Sequence, residues 1–447
     1  MYNDKMEFGV FATMAEALDA ANKAQKDLVN NYSLEQRDQM ISNVRKEFEK
    51  INDELSNFEF EETKFGRVED KIDKNLGGIL NTPGTEVIKT RAFATDKGLT
   101  IEYSAPYGVV GAVTPSTNPS LTVIGNGISN LAAGNSVVFN AHPFAEKSSS
   151  IAVKTFNKAV VDAGGPNNLV TMSANPSLAT LQEILESPYV KLLVGTGGPA
   201  MVKTLMASGK KVIAAGAGNP PTIVDETADV ERAANELYLS TGYDNTLMCT
   251  TEKEIFVSNQ VLDRFTNAFV ESGARLLSEE EANKVRDLIF VELESGEKVV
   301  NKDYIGRDAS KILSDAGVDV EGDPRVAIFI TDKDDLFVQK EQLLPIIPIV
   351  PTPNFESAME WAIEAENNNN HSASIWSKDV YRVTEFGRRI NTSIYVQNGG
   401  TSAAFGVDGT GKDSPTIATP TGEGITDAST FTRRRLFAMA NGGNYIL

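Results

Sequence analysis

Cys249 is the only cysteine in a chain of 447 residues. It stands in TGYDNTLMCTTEK, Thr241 to Lys253, among Asp244, Asn245, Thr246, Thr250 and Thr251. A free cysteine is most often a small buried hydrophobe, but these neighbours do not resemble a core strand. A loop thiol between a helix and a strand can attack an electrophile once it is ionised. No histidine lies close in sequence, so a Cys–His pair would have to form in space. Chemistry alone leaves both readings open.

GTGGPAM, Gly195 to Met201, follows an apolar strand and opens a helix. Glycines let a backbone approach a ligand, and Pro199 suits a first helical turn. Free N–H groups at a helix start could receive a pyrophosphate. The spacing is not GxGxxG, so a tight strand-to-helix turn explains it equally well. His142, in NAHPF, follows the strand SVVF and reads first as a structural or surface histidine. His371 follows the tract NNNN (Asn367 to Asn370) and reads as a loop histidine. Two histidines and one cysteine make a zinc site improbable, since structural zinc usually takes four such ligands. No metal is expected.

The net charge of −19 leaves no basic surplus for nucleic acid or an anionic membrane surface. One cysteine cannot form an internal disulfide, which fits a reducing compartment. The opening MYNDKMEFGVFATMAEALDAANKAQ has charges throughout and no apolar signal core. No run reaches the roughly 18 apolar residues of a membrane span. A cytoplasmic protein is the expectation.

The elements that must position these groups alternate. In SLEQRDQMISNVRKEFEKINDEL, Ile41, Val44, Phe48, Ile51 and Leu55 share one helical face, with Ser33 and Gln36 as a capping box. LTIEY (99–103) predicts a projecting strand. From Gly108, five short apolar strands (GVVGAV, SVVF, NLVTM, VKLLVG, KVIAA) are separated by helices, which predicts a doubly wound parallel sheet. Such sheets bind ligands at the carboxyl ends of their strands. A second α/β section begins near Thr222, with the helix ADVERAANELYLS, EIFV, VAIFI, PIIPIV, the helix NFESAMEWAIEAE, SIWS and SIYV. Gly399 to Gly424, rich in Gly, Thr and Ser, predicts extended loops.

APYGVVGAVTPSTNP, LAAGNSVVFNAHP, GTGGPAMVK, GAGNPP, DNTLMC and EQLLP occur in this order. Together they resemble the aldehyde dehydrogenase superfamily, from about Phe8 to the end of the chain. NAHP, ATPTGEG and TFTRRR resemble its CoA-acylating branch, the propionaldehyde and acetaldehyde dehydrogenases. The resemblance implies an aldehyde dehydrogenase-like α/β fold. A Rossmann-type doubly wound dinucleotide- and CoA-binding domain would span 1–95 and 110–221. A catalytic domain would span 222–415, and oligomerisation segments 96–109 and 425–447. A homodimer or homotetramer is implied, and association with a bacterial microcompartment is open. Only about seven residues precede the family core, so the targeting helix of some relatives is expected to be missing or removed.

The resemblance also implies roles. Cys249 matches the nucleophile and Asn118 the oxyanion-hole amide; a gapless match would put Thr117 there, but an amide donates in a fixed direction. Glu341 matches the residue that holds the nicotinamide ribose. Gly195, Thr196 and Gly197 match the turn near the pyrophosphate of NAD. Thr114, Pro115, Ser116, Thr117, Asn140, His142, Gly216, Ala217 and Gly218 complete the expected surroundings of NAD and coenzyme A. Asn140 stands where many relatives carry a lysine, so NAD against NADP is not fixed. Hydrolytic relatives carry a glutamate where Ala215 falls, and a methyl group takes no proton. An acylating reaction is therefore expected, with hydrolytic dehydrogenase and non-redox Cys acyltransferase or thioesterase as the rivals.

Overall fold

A computed structural model describes residues 1–407 and 409–442. The chain divides into two units. One comprises Met1–Thr63, Ile72–Ala215 and Lys412–Leu447; the other comprises Lys64–Lys71 and Gly216–Gly411.

The first unit is built on a six-stranded parallel sheet. Its order is Val10–Phe11, Val170–Ser173, Ser136–Asn140, Val109–Val113, Val190–Thr196, Lys211–Ala215. Alternation along the strands feeds two cores. Val110, Ala112, Val137 and Phe139 pack with Ile41, Val44, Phe48, Ile124 and Ile128. Val109, Val113 and Val138 pack with Met14, Leu18, Leu181 and Leu205 on the opposite face. Helices on both faces make this the doubly wound sheet that the apolar runs predicted, with Val10–Phe11 as an added edge. The helix Leu34–Thr63 starts at the Ser33/Gln36 box, where the Ser33 N–H donates to Gln36 Oε1 at 2.8 Å. It runs eight residues past the stretch that the periodicity marked, from Leu55 to Thr63.

A small antiparallel sheet in the same unit joins Arg91–Thr95, Gly98–Pro106 and Thr432–Ala440. It contains the predicted strand 99–103, and Tyr103 pairs with Arg435. Phe93, Leu436 and Phe437 are more than half exposed on it. Residues 443–447, the tail of the expected oligomerisation segment, lie outside the described residues.

The second unit carries a seven-stranded parallel sheet. Its order is Arg275–Leu276, Ala327–Ile330, Ile346–Thr352, Glu254–Ser258, Pro221–Val224, Ser372–Trp376, Ile394–Gln397. Val224, Ile255, Val257 and Ile349 face the helices Val230–Gly242 and Leu262–Glu271. Ile223, Phe256, Val350 and Ile375 face Phe355–Glu366 and Val380–Ile390. Gly399 to Gly424 is less extended than predicted: Thr401–Phe405 forms a 3-10 turn.

Candidate active site

In the first unit the chain leaves Val109–Val113, builds one side of the sheet, then crosses back to Val190–Thr196. The neighbouring carboxyl ends of these two strands form a topological switch point, where open α/β sheets take ligands. Thr114 follows one strand and Thr196 ends the other, and both hydroxyl oxygens are buried without a hydrogen-bond partner. A buried polar atom left unpaired is costly, and a ligand offering partners to these two hydroxyls would recover that cost. Gly195, Thr196 and Gly197 lead into the helix Pro199–Met206, whose N-cap Gly198 has no side-chain cap and open space where a Cβ would stand. A Cβ on Gly195 would lie 2.2 Å from Leu205 Cδ1, so a larger residue there would have to displace that buried side chain. The hydroxyls and the uncapped glycine helix start fit a nucleotide pyrophosphate.

Asn118 is the N-cap of the helix Pro119–Ala133, and its side chain does not cap. Lys74 Nζ donates to Asn118 Oδ1 at 2.5 Å. A lysine only donates, so the atom facing it is the amide oxygen and the NH₂ points away. The NH₂ reaches Thr117 Oγ1 only at 3.5 Å. Sequence reading missed Lys74, which is 7% exposed on a helix, Val68–Asn81, that no periodicity argument had picked out. Pro115, Ser116 and Thr117 form the partly exposed turn before it. Asn140 spends its amide inside the fold: Nδ2 donates to the Ser177 carbonyl at 3.2 Å and Oδ1 accepts from Thr180 at 2.7 Å. His142 caps the short turn Pro143–Ala145, accepting from the Phe144 N–H at 3.2 Å.

The second unit holds the thiol. After Val230–Gly242, Asp244, Asn245 and Thr246 take left-handed backbone at φ 46°, 54° and 60°. Asp and Asn tolerate this conformation, but for β-branched Thr246 it is an outlier. Side chains hold the run in place. Thr246 Oγ1 donates to the Thr241 carbonyl at 2.6 Å, and Asn245 Nδ2 to the Gly306 carbonyl and Asp308 at 3.0 Å. Asp244 accepts the Arg67 N–H at 3.0 Å and lies 3.7 Å from Lys71, both side chains fully buried. Asp244→Ala removes this partner of a buried ammonium and is expected to lower unfolding free energy by about 3–5 kcal/mol, read as a shifted denaturant midpoint.

The run delivers Cys249 to a tight turn, closed by the Thr251 N–H on the Met248 carbonyl at 3.2 Å. The turn is fastened beyond the cysteine as well. Thr401 Oγ1 donates to the Thr250 carbonyl at 2.7 Å, and Glu252 accepts from Ser240 at 2.6 Å and from the Thr401 N–H at 2.7 Å. Cys249 keeps part of its surface accessible. Burial, and next the Glu341 charge, push its thiol up to about 12; Lys253 and the amides of Cys249 and Thr250 act in the opposite direction.

Four segments meet around the turn, each just ahead of a strand: Gly218 before Pro221–Val224, Lys253 before Glu254–Ser258, Glu341 before Ile346–Thr352, His371 before Ser372–Trp376. These strands are consecutive in the sheet. This cluster therefore sits at amino ends, not at the carboxyl ends that the rule for such sheets favours. Glu341 Oε1 accepts the Gly218 N–H at 3.1 Å, and burial raises the carboxyl to about 7 against the charge of Lys253. Gly216 and Ala217 lead partly exposed into Gly218. A Cβ at Gly218 would lie 2.6 Å from the Cys249 carbonyl oxygen and 2.8 Å from His371 Cγ. Gly218→Ala must move that carbonyl, and kcat is expected to fall about 100-fold with an unchanged circular dichroism spectrum.

His371 lies in the loop just ahead of Ser372–Trp376, as its place after the asparagine tract predicted. It is fully buried, Nδ1 meets Ser372 Oγ at 2.8 Å, and Nε2 has no partner. Burial, and then the Lys253 charge, push it down to about 3, so the ring is neutral at pH 7. The asparagine tract marked the loop but not the burial of the ring.

The chain matches the model of the aldehyde dehydrogenase family over residues 9–412. It is 40% identical over 431 residues to an acetylating acetaldehyde dehydrogenase of Salmonella typhimurium, covering 96% of this chain and 92% of that one. It is 39% identical to a CoA-propanoylating propanal dehydrogenase of the same organism, covering 97% and 92%. A propionaldehyde dehydrogenase structure from the Clostridium phytofermentans fucose utilisation microcompartment superposes with a TM-score of 0.94 at 40% identity, covering 97% and 99%. A Rhodopseudomonas palustris propionaldehyde dehydrogenase, solved with bound CoA and an acylated cysteine, gives 0.94 at 37%, covering 98% and 99%. With a nucleotide-type switch point in one unit and an accessible thiol turn in the other, the chain belongs to the aldehyde dehydrogenase family.

Proposed function

We propose that this protein oxidises a short-chain aldehyde to its CoA thioester, with NAD⁺ as hydride acceptor, through an acyl group carried on Cys249. The relatives named for acetylating and CoA-propanoylating activity support the reaction class. The observation that carries the acylating reading is Ala215, 1% exposed at the end of Lys211–Ala215. Its methyl stands where hydrolytic relatives carry the base that activates water.

Bound NAD⁺ supplies the hydride acceptor, and CoA the thiol that finally receives the acyl group. Thr114, Thr196, Gly195 and Gly197 would hold the pyrophosphate, and Glu341 the ribose. Cys249 loses its proton, and its sulfur adds to the aldehyde carbonyl. The Cys249 N–H and the Asn118 amide are the donors proposed for the resulting oxyanion. When the oxyanion collapses, the former aldehyde hydrogen leaves as hydride and Cys249 holds a thioester. Attack by the CoA thiol then releases Cys249 as thiolate. The sum is aldehyde, NAD⁺ and CoA giving acyl-CoA, NADH and one proton. Thioester energy is conserved, so both directions are open.

Mixing protein with acetaldehyde or propanal, NAD⁺ and CoA should give NADH and acyl-CoA in equal amounts. Free acid as the product would overturn the reading. Because a Glu341 carboxylate accepts from both ribose hydroxyls more strongly than the neutral acid does, kcat/KM for NAD⁺ is expected to rise with pH through about 7. Glu341→Gln should lack that limb. The exposed faces of Arg91–Thr95 and Thr432–Ala440 fit subunit contact in a homodimer or homotetramer. Residence in the cytoplasm or in a microcompartment accords with the Clostridium relative, and no helix among the described residues is long and apolar enough to cross a membrane.

A further inference from the structure

Three consecutive charged residues, Glu252, Lys253 and Glu254, are all fully buried beside the thiol turn. A buried lysine is expensive unless its protons are taken up, and this one is held at several points. Its Nζ donates to the Met248 carbonyl at 2.8 Å and to the Thr246 carbonyl at 3.1 Å. The first is the carbonyl immediately before Cys249; the second ends the left-handed run. Its backbone N–H donates to the Pro220 carbonyl at 3.0 Å, and its carbonyl accepts from Gln342 at 3.2 Å. One residue thus ties the cysteine turn to the segments that carry Gly218 and Glu341.

We propose that Lys253 is the positioning residue of the nucleophile: its ammonium clamps the carbonyls of Thr246 and Met248 and keeps a positive charge beside Cys249. This rests on the reading of Cys249 as the acyl carrier. The groups that face Lys253 are Glu341, Cys249, Glu252 and Glu254, with His371 ahead of the strand Ser372–Trp376, two places along the sheet from Glu254–Ser258. Glu254 has both carboxyl oxygens unpartnered, and burial raises it well above its ordinary value against the charge of Lys253, which weakens it as a counter-charge to the ammonium. Glu252 is bonded to Ser240 and Thr401. His371 is neutral. Glu341 remains as the opposing charge: it raises the thiol, and Lys253 lowers it. Burial lowers Lys253 itself, while Glu341 and Cys249 act to keep its charge; on the sulfur, the Lys253 and Glu341 charges act in opposite directions.

The test needs no aldehyde, so it is independent of the overall reaction. With one cysteine in the chain, iodoacetamide alkylation followed by intact mass reports Cys249 alone. The rate is measured from pH 7 to 10 for the native protein, Lys253→Met, Lys253→Gln and Glu341→Gln. Losing the cation raises the thiol's apparent pKa, and one unit removes tenfold of thiolate. The more basic sulfur recovers part of this, so alkylation at pH 9 should slow about three- to tenfold. Lys253→Gln keeps a donor for the carbonyls without the charge and should slow to the same degree if it folds when Lys253→Met does not. Glu341→Gln, with Lys253 intact, should accelerate. Native rates in a folded Lys253 variant, or no acceleration in Glu341→Gln, would overturn the proposal. Alkylation as expected in a protein that forms no acyl-CoA would leave the lysine's role standing and reject the acyl-transfer reading alone.

Discussion

Cys249→Ala is expected to lower aldehyde-dependent NADH formation by about four orders of magnitude or more, while the melting temperature stays close to native. The side chain removed is small and partly accessible, and the turn that holds it is fastened by Thr250, Thr251, Glu252 and Lys253 rather than by the sulfur. Stability and activity should therefore separate cleanly. Steady-state rates with a melting curve on the same preparation check it. An alanine variant within tenfold of native would mean that the acyl group is not carried here.

Leaving out CoA should have the next largest effect. One equivalent of NADH per Cys249 should appear as the thiol is acylated, followed by a steady rate about 10²–10⁴ lower than with CoA, the range a positioned base contributes. Two features decide this. In the proposed alignment Ala215 offers water no base, and among the described residues the carboxyl that acts on both Cys249 and Lys253, Glu341, is anchored on the Gly218 N–H. Its value of about 7 would suit a base at neutral pH. Rapid turnover without CoA, abolished by Glu341→Gln, would therefore make Glu341 that base and the protein hydrolytic. Stopped-flow absorbance with and without CoA distinguishes the outcomes.

The sheets were legible because their signal is local. Runs such as VKLLVG and KVIAA, buried on both faces, have few other folds open to them. The polar neighbours of Cys249 pointed to a turn rather than a core strand, and the Gly195–Gly197 turn could be placed between strand and helix. The burial of Lys74, Lys253 and His371 was not legible. A lysine or histidine becomes a buried functional group only when segments far apart in sequence close around it: Lys253 with Pro220 and Gln342, His371 with Gly218, Lys74 with Asn118. For Asn140 the strand-end position could be read but the amide's partners, Ser177 and Thr180, could not. Position along a strand is readable from sequence; the direction a side chain turns is not.

The bonds that join Pro220, Lys253 and Gln342 also bear on how such a centre changes over time. The four segments are tied to one another, since a backbone or side-chain group of each is a partner or a wall for another. Replacements among Gly218, Lys253, Gln342 and His371 should accordingly interact strongly when combined, whereas exchanges on the outer helices should sum as independent steps. Altered substrate range is then more accessible through coordinated swaps of whole segments than through a ladder of single changes.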